Sequence, residues 1–240
     1  MSDQLEFLLS NLPSLLIGFP GQRPGGLLMS LLLTVFAVGI GFVIAIIIGS
    51  GRESKFQSVR WLSQLYVGVF LGLPLVLLLI LVHQVVGGQR FGLDLSPRTS
   101  ALIALALYSG AYQVGIVRSG LQAVPPQLVE SARVMGSSPW HVYRTVKLRY
   151  ATRVMLPAFV GQAISLFKDT SVVVIIAVAD LMTVARSVLG SDVANLRYWL
   201  SLYLLVGLLY FCVAFVISRV ARRWEKHLPS GELVHSLANY

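Results

Sequence analysis

An all-α integral membrane protein with five transmembrane helices is the fold class this sequence predicts, on three observations. Hydrophobic residues fill 56% of the 240 positions and charged residues only 12%, too apolar a balance for a water-soluble domain of this length. Five stretches each supply the roughly 20 predominantly apolar residues that a helix needs to cross a bilayer. The basic residues behind the formal net charge of +9 gather between alternate stretches instead of spreading evenly.

Ahead of the first stretch, residues 5–19 form a short apolar run interrupted by Pro13. Asp3 and Glu6 stand where a cleavable signal peptide would carry basic residues, so the segment reads as a helix lying in the membrane interface. The spans are then 27–50, 61–86, 99–117, 154–179 and 196–218. Arg52, Lys55 and Arg60 follow the first. Arg118, Arg133, Arg144, Lys147, Arg149 and Arg153 lie between the third and fourth, and Arg219, Arg222, Arg223 and Lys226 follow the fifth. These share one side, while Arg23, Arg90, Arg98, Arg186 and Arg197 occupy the other. The positive-inside rule therefore puts the amino terminus outside and the carboxyl terminus inside. Placement of this kind explains the net charge as a topology signal, which argues against a nucleic-acid partner.

Between the third and fourth spans, the run from Pro125 to Arg144 predicts two short helices around a tight turn. Pro125 and Pro126 can open the first, and Gly136 suits the left-handed position that ends it. Ser138 suits the cap of the second, with Pro139 in its first turn. A loop this long and ordered is expected to carry function. By spacing alone, three readings stand: a docking element for another protein, an amphipathic surface helix on lipid headgroups, or a DNA-binding helix-turn-helix. The second suits Trp140 and the neighbouring basic residues, and the third would have to work against the membrane surface.

Glu130-Ser131-Ala132, then Gly136, then Leu148 is similar to the EAA motif of ABC importer permeases. Its surroundings extend the likeness: Ala111-Tyr112, Arg118, Ala123-Val124-Pro125 and Gln127 lead in, and Gln162 through Ser171 follows, as in the histidine/glutamate-type permeases of polar amino acid uptake. The resemblance covers about residues 26–225 and is strong over 108–180. It implies a type I ABC importer permease fold in the bacterial inner membrane. It also implies that the loop is a coupling helix seated in an ATPase, with Ala132, Gly136 and Trp140 docking and Glu130 facing a basic residue of that partner. The chain then divides into a periplasmic interfacial segment 1–26, a transmembrane domain 27–225 with cytoplasmic loop 118–153, and a cytoplasmic tail 226–240. Implied partners are an ATPase dimer, a second permease subunit, a periplasmic or lipid-anchored substrate-binding protein and membrane lipid.

No G-x-x-x-x-G-K-[ST] phosphate loop occurs; the glycines from Gly87 to Gly92 have the spacing, but Leu93 stands where lysine is needed. No cofactor is therefore expected on this chain, and ATP with Mg belongs to the partner ATPase. The four histidines show no ligand spacing, Cys212 has no partner cysteine, and no catalytic residues are recognisable, so the chain is not read as an enzyme.

Within the fourth span, Lys168, Asp169, Thr170 and Ser171 interrupt an apolar run. Each charge costs about 2.5–3.5 kcal/mol at a helix centre, so both are expected to face a cavity or a partner. Adjacent helical residues diverge, so the two do not neutralise each other. Either they pair with neighbouring spans and fix the bundle, or they line a substrate pathway; the resemblance implies the pathway, with Gln162. Pro74 is expected to kink the second span beside it. Gly39, Gly41, Gly68 and Gly72 are expected to pack helices closely.

Several departures from the family pattern bear on partners, among them Gly161 where Asn is common in span four and Arg149 where Pro is expected after Leu148. Leu71 and Leu78 stand where Arg and Gln are usual in span two, and Gly115 where an acidic residue is usual in span three. Lost polar groups in membrane spans suggest that a different, second permease supplies most of the substrate's contacts. Against the importer stand a self-sufficient secondary transporter or channel and a non-transporting scaffold. Five spans do not divide into inverted repeats, and a scaffold gives Lys168 and Asp169 little reason to be buried.

Overall fold

The computed structural model describes residues 2–21, 24–52, 56–88 and 93–227. Arg23, Lys55, Arg90, the glycine pair's far end at Gly92, and the tail from 228 fall outside them. All regular structure among the described residues is helical, in ten α-helices joined by shorter 3-10 and π turns. They are α1 Ser2–Ile17, α2 Gly26–Arg52, α3 Gln57–Gly72, α4 Leu75–Ile80, α5 Pro97–Gln122, α6 Pro126–Val134, α7 Pro139–Val142, α8 Leu148–Asp169, α9 Leu181–Gly190 and α10 Trp199–His227.

Four helical runs are long and apolar enough to cross a membrane: Gly26–Gly49, Pro97–Gln122, Pro139–Ile176 and Val193–Trp224. The remaining expected span, 61–86, is not a single rod. It breaks into Gln57–Gly72 and Leu75–Val86, bent by 106°. Pro74 has no N–H to continue the ladder, and its ring forces Leu73 into extended backbone at φ −90° and ψ 134°. The expected kink is thus a corner.

The fourth span also differs from its expected limits. A single helical run of 38 residues, Pro139–Ile176, joins the second loop helix to the span through a π turn at Tyr143–Lys147. Its last part, Thr170–Ile176, tightens to a 3-10 turn and stops at Ala177, which adopts left-handed φ 57°.

Helices α2 and α5 make the broadest contact of the bundle. Glycine permits it at two places. A β-carbon on Gly41 would lie 2.9 Å from the Gly110 nitrogen, and one on Gly110 would lie 3.0 Å from Cγ2 of Ile44 on α2, and 2.8 Å from the Tyr66 hydroxyl of α3. Gly39, Gly68 and Gly72 are different from expectation: a β-carbon on any of them would meet nothing within 4 Å, so within this chain they face open space. One apolar core joins Leu33, Ala37, Leu79, Leu105, Leu166 and Val173, and a second joins Leu15, Phe167, Leu181, Val184, Leu202 and Val206. Leu15 belongs to α1, which docks on α2, α9 and α10 with Phe7 stacked on Tyr198 at 4.5 Å. The amino-terminal helix is therefore pinned to the bundle along one face.

Candidate functional site

The loop between α5 and α8 is built by local chemistry. At the end of α6, the Ser137 N–H donates to the Ala132 carbonyl at 3.1 Å and the Gly136 N–H to the Arg133 carbonyl at 2.9 Å. That pair of bonds is the Schellman closure, and it requires the left-handed φ of +81° that Gly136 adopts. Two residues on, the Ser138 hydroxyl accepts from the His141 N–H at 3.3 Å, with Pro139 in the first turn of α7. Glu130, Gly136 and Trp140 are exposed, the last stacked on Tyr143 at 6.0 Å. Ala132 lies inside the loop at 7% exposure, so its side chain packs the turn and is not on the outer face. Two residues not singled out in the sequence crown that face: Val134 at 87% and Met135 at 79% exposure. A helical wheel would have found Val134, which falls off the face of Leu128, Val129 and Ala132, but it puts Met135 on that inner face; Met135 is exposed because α6 ends at Val134.

A cleft of about 290 Å³ opens between α5 and α8. Tyr108, Tyr112 and Ile116 line it at intervals of one turn from α5; Gln162, Ser165 and Asp169 line it from α8 at spacings of three and four. The tyrosine rings meet edge to face at 5.0 Å, and the Tyr108 hydroxyl donates to that of Tyr112 at 3.3 Å. The Gln162 amide NH₂ donates to the Ser109 hydroxyl at 3.1 Å, and the Gln113 NH₂ donates to the same oxygen at 2.8 Å and to the Val38 carbonyl at 3.1 Å. Both amide oxygens, Gln113 Oε1 and Gln162 Oε1, are buried without a protein partner. Behind the cleft wall, Gln162 is thus tied into a buried polar ladder that spans three helices.

The residues expected on a substrate pathway separate into two groups. Gln162 and Asp169 share the cleft. Lys168, one residue away, is exposed on another side of the helix. Thr170 is wholly buried and donates to the Phe167 carbonyl at 2.7 Å, ending the α-helical part of the span. Ser171 and Pro74 do not line the cleft, Pro74 sitting at the corner before α4. Ser109 and Gln113 escaped the sequence reading, although polar side chains one turn apart inside an apolar span signal a shared partner. Among the described residues no three His, Cys, Asp or Glu side chains converge, and His83 bonds to Ser100 at 3.1 Å.

Residues 37–228 match the sequence family described as binding-protein-dependent transport system inner membrane component. The chain is 31% identical over 199 residues to the glutamate/aspartate import permease protein GltK of Escherichia coli O6:H1, covering 80% of this chain and 87% of that one. It is 30% identical over 231 residues to the L-cystine transport system permease protein TcyB of Bacillus subtilis, covering 92% and 97%. Among solved structures, an amino acid ABC transporter crystallised with histidines superposes at a TM-score of 0.81 with 28% identity, covering 92% of this chain and 97% of the other. An inward-facing form of the MetNI methionine ABC transporter, at 19% identity and a TM-score of 0.62, shares the fold.

Proposed function

The chain belongs to the family of binding-protein-dependent transport system inner membrane components, and from that premise we propose that it forms the transmembrane path of an ATP-driven importer for polar amino acids. Its place is the inner membrane, as a transport subunit and not an enzyme. The similarity to permeases named for glutamate/aspartate and for cystine supports the substrate class, as does the cleft itself. Asp169 offers a carboxylate for an ammonium group, and the tyrosine hydroxyls and the Gln162 amide offer neutral hydrogen bonds.

One observation carries the reading: Pro139–Ile176 is a single helical run with the glycine turn before its first residue and the polar cleft toward its far end. ATP and Mg belong to a partner ATPase dimer and supply the free energy, and no residue of this chain is assigned to them. The exposed Val134, Met135 and Trp140 fit an apolar groove of that partner, with Glu130 beside them for a basic residue. Displacing the turn swings the whole run, because an α-helix bends less readily than the contacts around it slide. The α8 wall of the cleft then shifts against the α5 wall, which alternates its access between the two sides. In this reading residues 1–26 are periplasmic, 27–225 form the transmembrane domain, and the tail 226–240 is cytoplasmic, an orientation supported by the asymmetry of basic residues.

A second, different permease completes the complex. Leu78 is part of the apolar core, and Leu71 and Gly115 are exposed and apolar, so polar groups usual at those positions are not supplied from here. The reading is tested by gentle purification, intact-mass identification of the copurifying chains, and uptake assays in proteoliposomes. Two ATPase copies with two unlike permeases are expected. Two copies of this chain would refute the heteromer, and uptake in the absence of any ATPase would refute the importer.

A further inference from the structure

A second cleft, of about 480 Å³, opens at the opposite end of the long helical run, bounded by Val174, Ala177, Thr183, Arg186, Ser187 and Ser191. It shares no residue with the cleft of Asp169. The 22 residues of α8 alone put about 33 Å between it and the coupling turn.

Its floor is unusually well fixed. Asp180, wholly buried, caps α9 by accepting from the Met182 N–H at 3.1 Å, the Thr183 N–H at 2.9 Å and the Thr183 hydroxyl at 2.6 Å, with the Tyr210 hydroxyl at 3.5 Å. The Leu181 N–H reaches the Ser30 hydroxyl at 3.4 Å, and the Gly26 N–H donates to the Ala179 carbonyl at 2.9 Å. Leu181, Val184, Ala185, Val188 and Leu189 bury one face of α9, which leaves Arg186 and Ser187 on the other. The left-handed turn at Ala177, strained for a residue with a β-carbon, brings the chain back to form the facing wall.

Two groups in the cleft have unused hydrogen-bonding capacity. The Thr183 hydroxyl is committed to Asp180 and that of Ser191 to the Val188 carbonyl. Arg186 and Ser187 have no hydrogen-bond or ionic partner among the described residues, and no carboxylate lines the cleft. A planar guanidinium held on a rigid helix suits a carboxylate bound by two parallel bonds. A free amino acid fits poorly, since its ammonium would find no matching charge here. A side-chain carboxylate on a protein surface brings no second charge.

We propose that this cleft receives an acidic side chain of the extracytoplasmic substrate-binding protein, Arg186 pairing with its carboxylate and Ser187 donating a further hydrogen bond. The proposal rests on the importer reading above. In that reading the cleft lies at the end of the run away from the ATPase, the side from which such a protein must deliver its cargo.

The test uses the assembled importer in nanodiscs, its ATPase rate followed as the importer's own purified binding protein is titrated in. Arg186→Glu is expected to raise the half-stimulating concentration about tenfold while the maximal rate is kept, and Arg186→Lys to raise it far less. Added salt is expected to weaken wild-type docking more than that of Arg186→Gln. An unchanged half-stimulating concentration in Arg186→Glu, with assembly intact by size exclusion, overturns the proposal. So does an unchanged binding-protein affinity accompanied by a raised KM for the amino acid, which would give the cleft to the substrate. A wild-type complex that no binding protein stimulates overturns the importer reading itself, before any variant is compared.

Discussion

The turn at Gly136 leads into the helical run that carries the α8 wall of the Asp169 cleft, yet the two are specified in opposite ways. The turn is assembled from about a dozen consecutive residues, and the Ser131, Ala132 and Arg133 carbonyls at the end of α6 each accept from a backbone N–H within five positions. The cleft takes its walls from α5 and α8, whose facing residues are about fifty positions apart, and one of its lining residues, Gln162, has a buried amide oxygen without a protein partner. The exposed turn is made rigid by its own backbone. The buried cleft wall is left with unmet hydrogen-bonding capacity, at about 1–3 kcal/mol for an orphaned group.

Six substitutions, in four tests, press on that contrast. The largest effect is expected from Gly136→Val: nothing lies within 4 Å to clash with the side chain, so the whole cost is backbone strain at φ +81°. Stimulated ATPase activity should fall at least about tenfold while the complex still assembles, because the turn loses the one geometry that fits its partner. Normal stimulation by the binding protein in this variant would show that the turn tolerates another shape.

Next comes Asp169→Asn, which removes the one carboxylate that lines the cleft among the described residues and keeps its shape. Uptake is expected to drop about tenfold, on the scale of a lost charge-assisted hydrogen bond. Lys168→Ala, on the exposed side of the same helix, should cost clearly less in the same vesicle assay. Equal losses would mean that the two residues act together, with the cleft irrelevant to the difference.

Ser109→Ala should have a smaller, structural effect. It strips the shared acceptor from the Gln113 and Gln162 amides, for an expected destabilisation of about 1–3 kcal/mol. Thermal unfolding in detergent measures it, and an unchanged midpoint would mean that water already serves the ladder. The smallest effect is expected from Gly68→Ala, whose new methyl meets nothing, against Gly41→Ala, which must displace the α2–α5 contact. In the same unfolding assay Gly68→Ala should be near neutral for the isolated chain. A large loss that appears only in the assembled complex would place α3 at a subunit interface.

Much of the coupling turn was legible in residue order alone. Gly136 ending one helix, Ser138 capping the next and Pro139 opening it all follow from backbone stereochemistry over a few bonds, and the structure realises each. The same holds for the apolar spans, since length and hydropathy suffice to choose a membrane over water. Pro74 shows where such rules stop: proline predicts a break, but the 106° corner depends on where α3 and α4 find surfaces to pack against.

What the sequence determined, then, was the membrane, the helices, the turn and the family likeness, all properties of short segments or of composition. Only the tertiary structure decided that Asp169 and not Lys168 enters the cleft, that Ser109 bridges two glutamines, that Ala132 turns inward, and that Gly41 packs where Gly68 does not. Each of these depends on which face of one helix meets which face of another. In a chain whose helices are apolar nearly all round, the hydrophobic pattern that normally fixes those faces is too weak to read.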